Sequence, residues 1–263
     1  MTPENRKNTY ALVTGASSGI GFEYARQLLD YGYNLVAVSN EDAIYAKADE
    51  LAAVHPELKV IPVLSDLART EAADELYAFC RERGLEVEVL VNNAGIYHNC
   101  DFLDDSAKYN SLIMLLHVYT PTMLMYNFAK DMVARGKGYI LNMSSVTSAF
   151  SVQRIGIYCS TKAYLRGISR STHVELREKG VVVTCVRPGA VSTPLYNLSP
   201  SARRVGLFFG YIITPEKLAR KGLKAMFRGR SSVTPGLYTK LLNALVVLIP
   251  TWALKLVRKL RIY

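Results

Sequence analysis

Short apolar runs alternate with longer amphipathic stretches along most of the chain. Runs such as Leu35–Val38, Val87–Val91 and Val181–Val186 are apolar apart from Glu88 and Thr184 and do not alternate strictly, which predicts strands buried on both faces. The stretches between the runs, such as Asp42–Val54 and Ile155–Lys179, have the composition and length of helices. Buried strands that alternate with helices predict an α/β fold, a doubly wound parallel sheet with helices on both faces.

A glycine-rich turn follows the first apolar run, Tyr10–Val13. Residues 14–21 are Thr-Gly-Ala-Ser-Ser-Gly-Ile-Gly, and an amphipathic stretch begins directly after them. In a doubly wound sheet the first strand-to-helix turn lies at the ligand-binding edge. Glycine lets the backbone approach phosphate oxygens there, and the helix N-terminus offers unpaired N–H groups. Such a turn is only weakly diagnostic by itself, because glycines also end strands for steric reasons.

Four motifs in this order resemble the classical short-chain dehydrogenase/reductase family. The TGxxxGxG spacing of residues 14–21 is followed by Asp66-Leu67, by Asn92–Gly95 and by Pro188–Thr193, each after an apolar run. The resemblance extends from Tyr10 to about Gly236, and it implies a single Rossmann-fold domain that binds NAD or NADP. The cofactor-binding residues that it implies are Gly15, Ser17, Ser18, Gly19, Ile20, Gly21, Ser39, Asn40, Asp66, Leu67, Asn93, Ala94, Gly95, Tyr158, Lys162, Pro188, Gly189, Val191 and Thr193.

Tyr158 and Lys162 match the YxxxK pair of this family. Positions i and i+4 share one face of a helix. A free phenol has a pKa of about 10, and a nearby ammonium group lowers it by favouring the phenolate. We therefore expect Tyr158 to donate a proton in reduction and to accept one in oxidation, with Lys162 tuning it and binding the nicotinamide ribose. Ser145, thirteen residues before Tyr158, stands at the distance of the family's substrate-orienting serine. The resemblance therefore implies that it orients the carbonyl oxygen of a ketone that is interconverted with a secondary alcohol.

His117 stands where many members of the family have an asparagine that holds a water linking the lysine to solvent. A neutral imidazole both donates and accepts hydrogen bonds, so His117 is a candidate for the same catalytic relay. It fits equally well as a core histidine bonded to the backbone, and the sequence leaves both interpretations open.

The end of the second apolar run bears on the choice of coenzyme. An acid at this position binds the 2′-hydroxyl of NAD, whereas a basic residue accepts the extra phosphate of NADP. Ser39 and Asn40 both donate hydrogen bonds to phosphate, which slightly favours NADP. Glu41 favours NAD if its side chain turns inward.

The segment after residue 193 is rich in large apolar side chains, and we expect it to form a substrate lid over about residues 194–230. Tyr196, together with Tyr97 and Phe150, is expected to contact a bulky apolar substrate that is lipid, steroid-like or acyl. The same side chains fit lid packing or a contact between subunits. By analogy with the family, we expect a homodimer or homotetramer.

Residues 237–263 form an apolar and basic tail beyond a dinucleotide-binding and catalytic domain of residues 1–236. Thirteen Lys or Arg residues and one acid lie after residue 200, in a chain of net charge +10. Trp252, Leu256 and Leu260 share one helical face opposite basic residues, a pattern of interfacial membrane helices. The favoured interpretation is that the tail packs on the same domain or on another subunit. Pro250 interrupts the apolar run, which is shorter than the about 20 residues that span a bilayer.

Composition limits the remaining classes of function. The cysteines at positions 80, 100, 159 and 185 form no CxxC pair, which favours free thiols in a reducing compartment, and we expect no metal. Met1–Asn8 lacks the apolar stretch of a secretory signal, so a cytoplasmic chain is expected, with peripheral membrane contact as the alternative. No motif indicates nucleic-acid binding. A dinucleotide-binding sensor with weak or lost catalysis and a membrane-surface binding protein are the alternatives to an enzyme.

Overall fold

Seven parallel strands form the central sheet of the computed structural model, which describes residues 8–193, 204, 206, 211–236 and 238–241. In chain order the strands are β1 (Thr9–Thr14), β2 (Asn34–Ser39), β3 (Val60–Leu64), β4 (Glu86–Asn92), β5 (Gly138–Met143), β6 (Val181–Val186), β7 (Ala190–Val191), β8 (Ile212–Ile213) and β9 (Ser232–Val233). The main sheet has the order β3-β2-β1-β4-β5-β6-β9, and β7 pairs with β8 separately.

Helices cover both faces of this sheet. They are α1 (Gly19–Asp30), α2 (Ala43–Val54), α3 (Ala72–Glu82), α4 (Ala107–Met114), α5 (Thr120–Ala134), α6 (Gly156–Arg177) and α7 (Pro215–Phe227). Ala11 and Val13 of β1 join the core beneath α1, α2 and α7, whereas Tyr10 and Leu12 join the core beneath α3 and α5. The predicted fold class, a doubly wound parallel sheet in one Rossmann-like domain, is confirmed.

A π-helical turn, Leu115–Tyr119, joins α4 to α5 and contains His117. Within the described part of the chain, the continuous helical run Ala107–Ala134 is the one segment long and apolar enough to cross a membrane. Half of its most apolar window is buried, and Leu124, Phe128 and Met132 pack in the core on the sheet. Core packing therefore accounts for the apolar side chains on the buried half of this helical run.

The direction of winding reverses between β1 and β4. From β1 the chain crosses to β2 and β3 on one side, and the later strands are added beyond β4 on the other. Such a reversal leaves a crevice at the carboxyl ends of the two central strands, which is where open α/β sheets bind ligands.

Candidate active site

The carboxyl ends of β1 and β4 are tied together by Thr14 and Asn93. Thr14 Oγ1 accepts hydrogen bonds from the backbone N–H of Asn93 at 2.9 Å and of Ala94 at 3.0 Å. In return, Asn93 Nδ2 donates to the carbonyl oxygen of Thr14 at 2.9 Å. The turn after β1 and the loop after β4 are thus held as one floor of the crevice.

The start of α1 lies unusually close to the turn that precedes it. A Cβ atom at Gly21 would lie 1.9 Å from the carbonyl oxygen of Gly15 and 2.5 Å from Asn93 Nδ2. Only glycine allows this approach, which directs the N-terminus of α1, with its unpaired N–H groups, toward the crevice.

Three polar side chains form a hydrogen-bonded group where β2 ends. The hydroxyl of Ser39 donates to Ser17 Oγ at 3.0 Å, and the hydroxyl of Ser17 donates to Glu41 Oε2 at 2.9 Å. The backbone N–H of Glu41 donates back to Ser39 Oγ at 3.2 Å. The carboxylate of Glu41 therefore points toward the glycine turn, although Glu41 and Asn40 are both exposed.

A cleft of about 520 Å³ runs from this group to the end of β5 and brings most of the expected cofactor residues together. Glu41, Ser144 and His117 also line it. Gly21, Gly189 and Ser145 lie outside its lining; Gly189 packs against the buried Thr239, which lies in the segment after residue 236. The expected residues along its wall are Gly15, Ser17, Ser18, Gly19, Ile20, Ser39, Asn40, Asp66, Leu67, Asn93, Ala94, Gly95, Tyr158, Lys162, Pro188, Val191 and Thr193.

Tyr158 and Lys162 meet at the inner end of this cleft, on the first turns of α6. Both are buried, and Lys162 Nζ lies 5.6 Å from the centroid of the Tyr158 ring. Lys162 Nζ donates to the carbonyl oxygen of Met143 at 3.0 Å. Burial disfavours the charged amine and lowers the pKa of Lys162 to about 8. A cation that titrates close to neutrality therefore lies beside the phenol.

Both ring nitrogens of His117 are hydrogen-bonded to the protein. Nε2 accepts from the backbone N–H of Ile96 at 3.0 Å, and Nδ1 lies 3.1 Å from Thr161 Oγ1. Because the Thr161 hydroxyl itself donates to the carbonyl oxygen of Tyr158 at 2.9 Å, Nδ1 carries the proton and donates. Burial, and then the charge of Lys162, hold the pKa of His117 well below its ordinary value, so the imidazole is neutral.

Ser145 begins the 3₁₀ turn Val146–Ala149 that follows β5. Its hydroxyl oxygen accepts from the backbone N–H of Thr147 at 3.2 Å and from the Thr147 hydroxyl at 2.9 Å. The neighbouring Ser144 hydroxyl donates to the carbonyl oxygen of Lys162 at 2.7 Å. The two serines thus lie between β5 and α6, and Ser144 fastens the helix that carries Tyr158.

A second cleft, of about 540 Å³, also has Tyr158 in its lining. Sequence patterns did not indicate its lining, because the loops before α4 and α6 supply most of it; its residues include Phe102, Tyr109, Ile113, Val152, Arg154 and Ile157.

Of the three expected substrate contacts, Tyr97 packs edge-on against the ring of Tyr158, with centroids 5.3 Å apart. Phe150 ends the 3₁₀ turn and is half-buried. Tyr196 lies outside the described residues, as do most of the expected lid and of the tail. The four cysteines are free, as the sequence indicated.

A family model described as short chain dehydrogenase matches residues 9–203. The chain belongs to the short-chain dehydrogenase family. A very-long-chain 3-oxoacyl-CoA reductase-like protein of Arabidopsis thaliana is 30% identical over 270 residues, which cover 97% of this chain and 84% of that protein. The 17-beta-hydroxysteroid dehydrogenase type 3 of Rattus norvegicus is 31% identical over 192 residues, which cover 71% of this chain and 61% of that enzyme.

The fold of this short-chain dehydrogenase is also similar to solved structures. A short-chain dehydrogenase from Sphingobium yanoikuyae in complex with NADPH superposes with a TM-score of 0.77 and 27% sequence identity, and the match covers 92% of this chain and 96% of that one. The chain spans about 60% of the length of several of its curated relatives. Family membership makes it an NAD(P)-dependent oxidoreductase that acts on CH–OH groups.

Proposed function

We propose that this short-chain dehydrogenase interconverts a bulky apolar ketone and its secondary alcohol, with Tyr158 as the proton donor and acceptor. The observation that carries the proposal is the position of Tyr158, which lines both clefts. A coenzyme in the first cleft and a carbonyl in the second would meet at this phenol and at no other titratable side chain shared by the described parts of both linings.

The first cleft fits a nicotinamide dinucleotide. Thr193 Oγ1 is buried at its wall and has no hydrogen-bond partner among the described residues, so it suits the carboxamide of a nicotinamide ring. The N-terminus of α1 would hold the pyrophosphate, and Asp66 and Leu67 would flank the adenine. When bound, the coenzyme supplies or accepts the hydride.

The protein itself supplies the proton and the orientation of the substrate. The ammonium of Lys162 favours the phenolate of Tyr158, which lets the phenol exchange a proton near neutral pH. Ser145 would bind the carbonyl oxygen as charge develops on it, by donating the proton of the hydroxyl whose oxygen accepts from Thr147. His117, neutral and bonded on both nitrogens, would act as a positioning residue. It joins the loop after β4, through Ile96, to the helix of Tyr158, through Thr161.

Two observations support a lipid-like or steroid-like substrate. The second cleft includes Phe102, Ile113, Val152 and Ile157, which offer apolar surface beside Tyr158. Relatives of the chain are named as a very-long-chain 3-oxoacyl-CoA reductase and a 17-beta-hydroxysteroid dehydrogenase. The test is coenzyme oxidation with long-chain 3-oxoacyl thioesters, steroid ketones and a sugar ketone. Faster turnover of the sugar ketone than of every apolar ketone would contradict the proposed substrate class.

For the coenzyme, we propose a preference for NAD(H), the reverse of the slight preference drawn from Ser39 and Asn40. The hydroxyls of Ser39 and Ser17 are engaged with each other and with Glu41, and the carboxylate of Glu41 lines the cleft. A carboxylate there accepts from a ribose hydroxyl and repels a 2′-phosphate. Lys162 is the one Lys or Arg in the described lining, and it lies at the far end.

Replacement of Glu41 tests this preference. We expect Glu41→Gln to lower the ratio of the Kd for NADPH to the Kd for NADH by roughly tenfold. The substitution removes the repulsion between the carboxylate and the 2′-phosphate and keeps the shape of the side chain. Calorimetric titration measures both constants, and Glu50→Gln on the exposed face of α2 is the matched control. Tighter binding of NADPH than of NADH by the parent would overturn the preference and leave the proposed reaction standing.

A further inference from the structure

We propose that the loop between β4 and α4 binds one Zn²⁺ ion through His98, Cys100 and Asp105. This site is separate from the coenzyme cleft and does not depend on the proposed reaction. Nothing in the spacing of the cysteines indicated it, because the cysteines do not pair with one another. The ligands come instead from three residue types within eight positions of one loop.

The three ligand atoms are already close together. One ring nitrogen of His98, Cys100 Sγ and a carboxylate oxygen of Asp105 all lie within 4.8 Å of one another. His98 Nδ1 and Asp105 Oδ1 are 3.3 Å apart. That separation is about the edge of a tetrahedron with metal–ligand bonds of roughly 2.0–2.1 Å, the bond lengths of zinc with imidazole and carboxylate. Small side-chain movements would complete the coordination.

Backbone contacts hold this loop in the shape that gathers the ligands. The backbone N–H of Cys100 donates to the carbonyl oxygen of Arg154 at 2.9 Å, and that of Asp105 donates to the carbonyl oxygen of Asp101 at 3.2 Å. The ring of His98 packs against Tyr109 with centroids 5.0 Å apart. A metal would therefore bind a partly preformed site, which lowers the cost of ordering its ligands.

The charges around the loop favour a cation. The side chain of Asp105 is only 14% exposed, and its one ion-pair partner among the described residues is His98, which is charged only when protonated. Asp101 and Asp104 lie in the same loop and add negative charge. A divalent cation would compensate the largely buried carboxylate, which an uncharged imidazole does not.

The mixed donor set selects the kind of metal. Imidazole nitrogen, thiolate sulfur and carboxylate oxygen together suit Zn²⁺ better than Mg²⁺ or Ca²⁺, which prefer oxygen ligands. Three protein ligands leave a fourth position for water or for a substrate group. The three residues line the same cleft as Tyr158, so the ion would order one wall of the cleft in which we place the substrate.

Titration of the chelator-treated full-length protein with Zn²⁺ tests the site. We expect one equivalent to bind, and Cys100→Ser or Asp105→Asn to weaken binding by at least roughly tenfold, since each removes one of three ligands. His55→Ala is the control, because His55 also lies beside two carboxylates, those of Asp30 and Glu57, but near no thiol in the ligand set. Equal affinity of the parent and Cys100→Ser, or equal loss in His55→Ala, would overturn the proposal.

Two further readouts identify the thiolate. Replacement of Zn²⁺ by Co²⁺ should give a sulfur-to-metal charge-transfer band that Cys100→Ser abolishes. Zn²⁺ should also protect Cys100 from alkylation, which peptide mapping can follow because Cys80, Cys159 and Cys185 are buried. Unchanged alkylation of Cys100 at saturating Zn²⁺ would contradict the proposal. Coenzyme affinity equal to that of the parent shows that the variants are folded. If the parent binds Zn²⁺ but no coenzyme, that result counts against the proposed reaction and not against the metal site.

Discussion

Lys162 places an amino group in a largely desolvated position. Its Nζ is held by the carbonyl oxygen of Met143, and desolvation lowers its pKa to about 8 from the ordinary 10.5. Between these two pH values the unfolded chain binds a proton that the folded chain has released. The free energy of unfolding therefore contains a contribution from Lys162 that rises with pH across this window.

Replacement of Lys162 by an apolar residue should stabilise the fold and abolish activity. We expect Lys162→Met to raise the free energy of unfolding at pH 7 by roughly 1–3 kcal/mol, because a buried charge is removed, and to abolish ketone reduction. Denaturant unfolding between pH 7 and 10.5 would measure the effect, and the rise with pH should be smaller in the variant. A variant less stable than the parent throughout that range would contradict this account of Lys162.

His117 makes stability depend on pH in the acidic range, whereas Lys162 does so in the alkaline range. Below its ordinary pKa of 6.5 the unfolded chain takes up a proton that the folded chain refuses, so stability falls as pH decreases. The contribution is at most about 1.4 kcal/mol per pH unit for one group. We expect His117→Gln, measured by denaturant unfolding between pH 5 and 7, to reduce this slope. Parallel curves for parent and variant would show that His117 is protonated in the folded state.

At the scale of single residues, the motifs predicted which side chains lie together, but not the hydrogen-bond partners of those side chains. The i, i+4 spacing placed Tyr158 and Lys162 on one face of a helix. The partner of Lys162 is a backbone carbonyl, which carries no sequence signal. The interpretation of His117 stayed open for the same reason, since one of its partners is the backbone N–H of Ile96.

Among the elements, the contact of α1 with the glycine turn is the one that the coenzyme site depends on most. A Cβ at Gly21 would meet backbone atoms of Gly15, which cannot rotate away as a side chain can. Helix α1 would have to move outward, and its N-terminal N–H groups would leave the position expected for the pyrophosphate.

We expect Gly21→Ala to lower the free energy of unfolding by roughly 1–3 kcal/mol, the usual cost of overpacking, and to weaken coenzyme binding at least tenfold. Gly167→Ala is the matched control. A Cβ there meets nothing within 4 Å in the interior of α6, so it should stabilise by about 1 kcal/mol through helix propensity. Coenzyme affinity in Gly21→Ala equal to that of the control would contradict the assigned role of the turn.

Element prediction succeeded where burial is continuous and failed where elements are short. The apolar runs Tyr10–Val13, Leu35–Val38, Val87–Val91 and Val181–Val186 correspond to β1, β2, β4 and β6, because these strands are buried on both faces or nearly so. The two-residue strands β7, β8 and β9 are too short to have a pattern. The helical run Ala107–Ala134 is divided by the π-helical turn at His117, and apolar periodicity does not distinguish one extra residue in a turn.

For the whole molecule, the position of the site follows from the topology. Alternating strands and helices predict a crevice where the strand order reverses, and the glycine turn, Asn93 and Tyr158 lie there. The direction of Glu41 and the grouping of His98 with Cys100 and Asp105 depend on loop conformation, which composition and periodicity do not determine. The self-association, the cytoplasmic location and the membrane contact of the tail stay predictions.

The central claim is that Tyr158 transfers the proton between two clefts that meet at its ring. The most direct test is to bind reduced coenzyme to the protein, mix it with an apolar ketone, and follow coenzyme fluorescence in a single turnover. We compare Tyr158→Phe with Tyr164→Phe, a control on the same helix whose exposed hydroxyl lies 3.1 Å from Thr122 Oγ1. The account predicts equal coenzyme affinity in both variants, normal turnover in Tyr164→Phe, and a rate at least about 100-fold slower in Tyr158→Phe. Turnover by Tyr158→Phe at the rate of the control would contradict it.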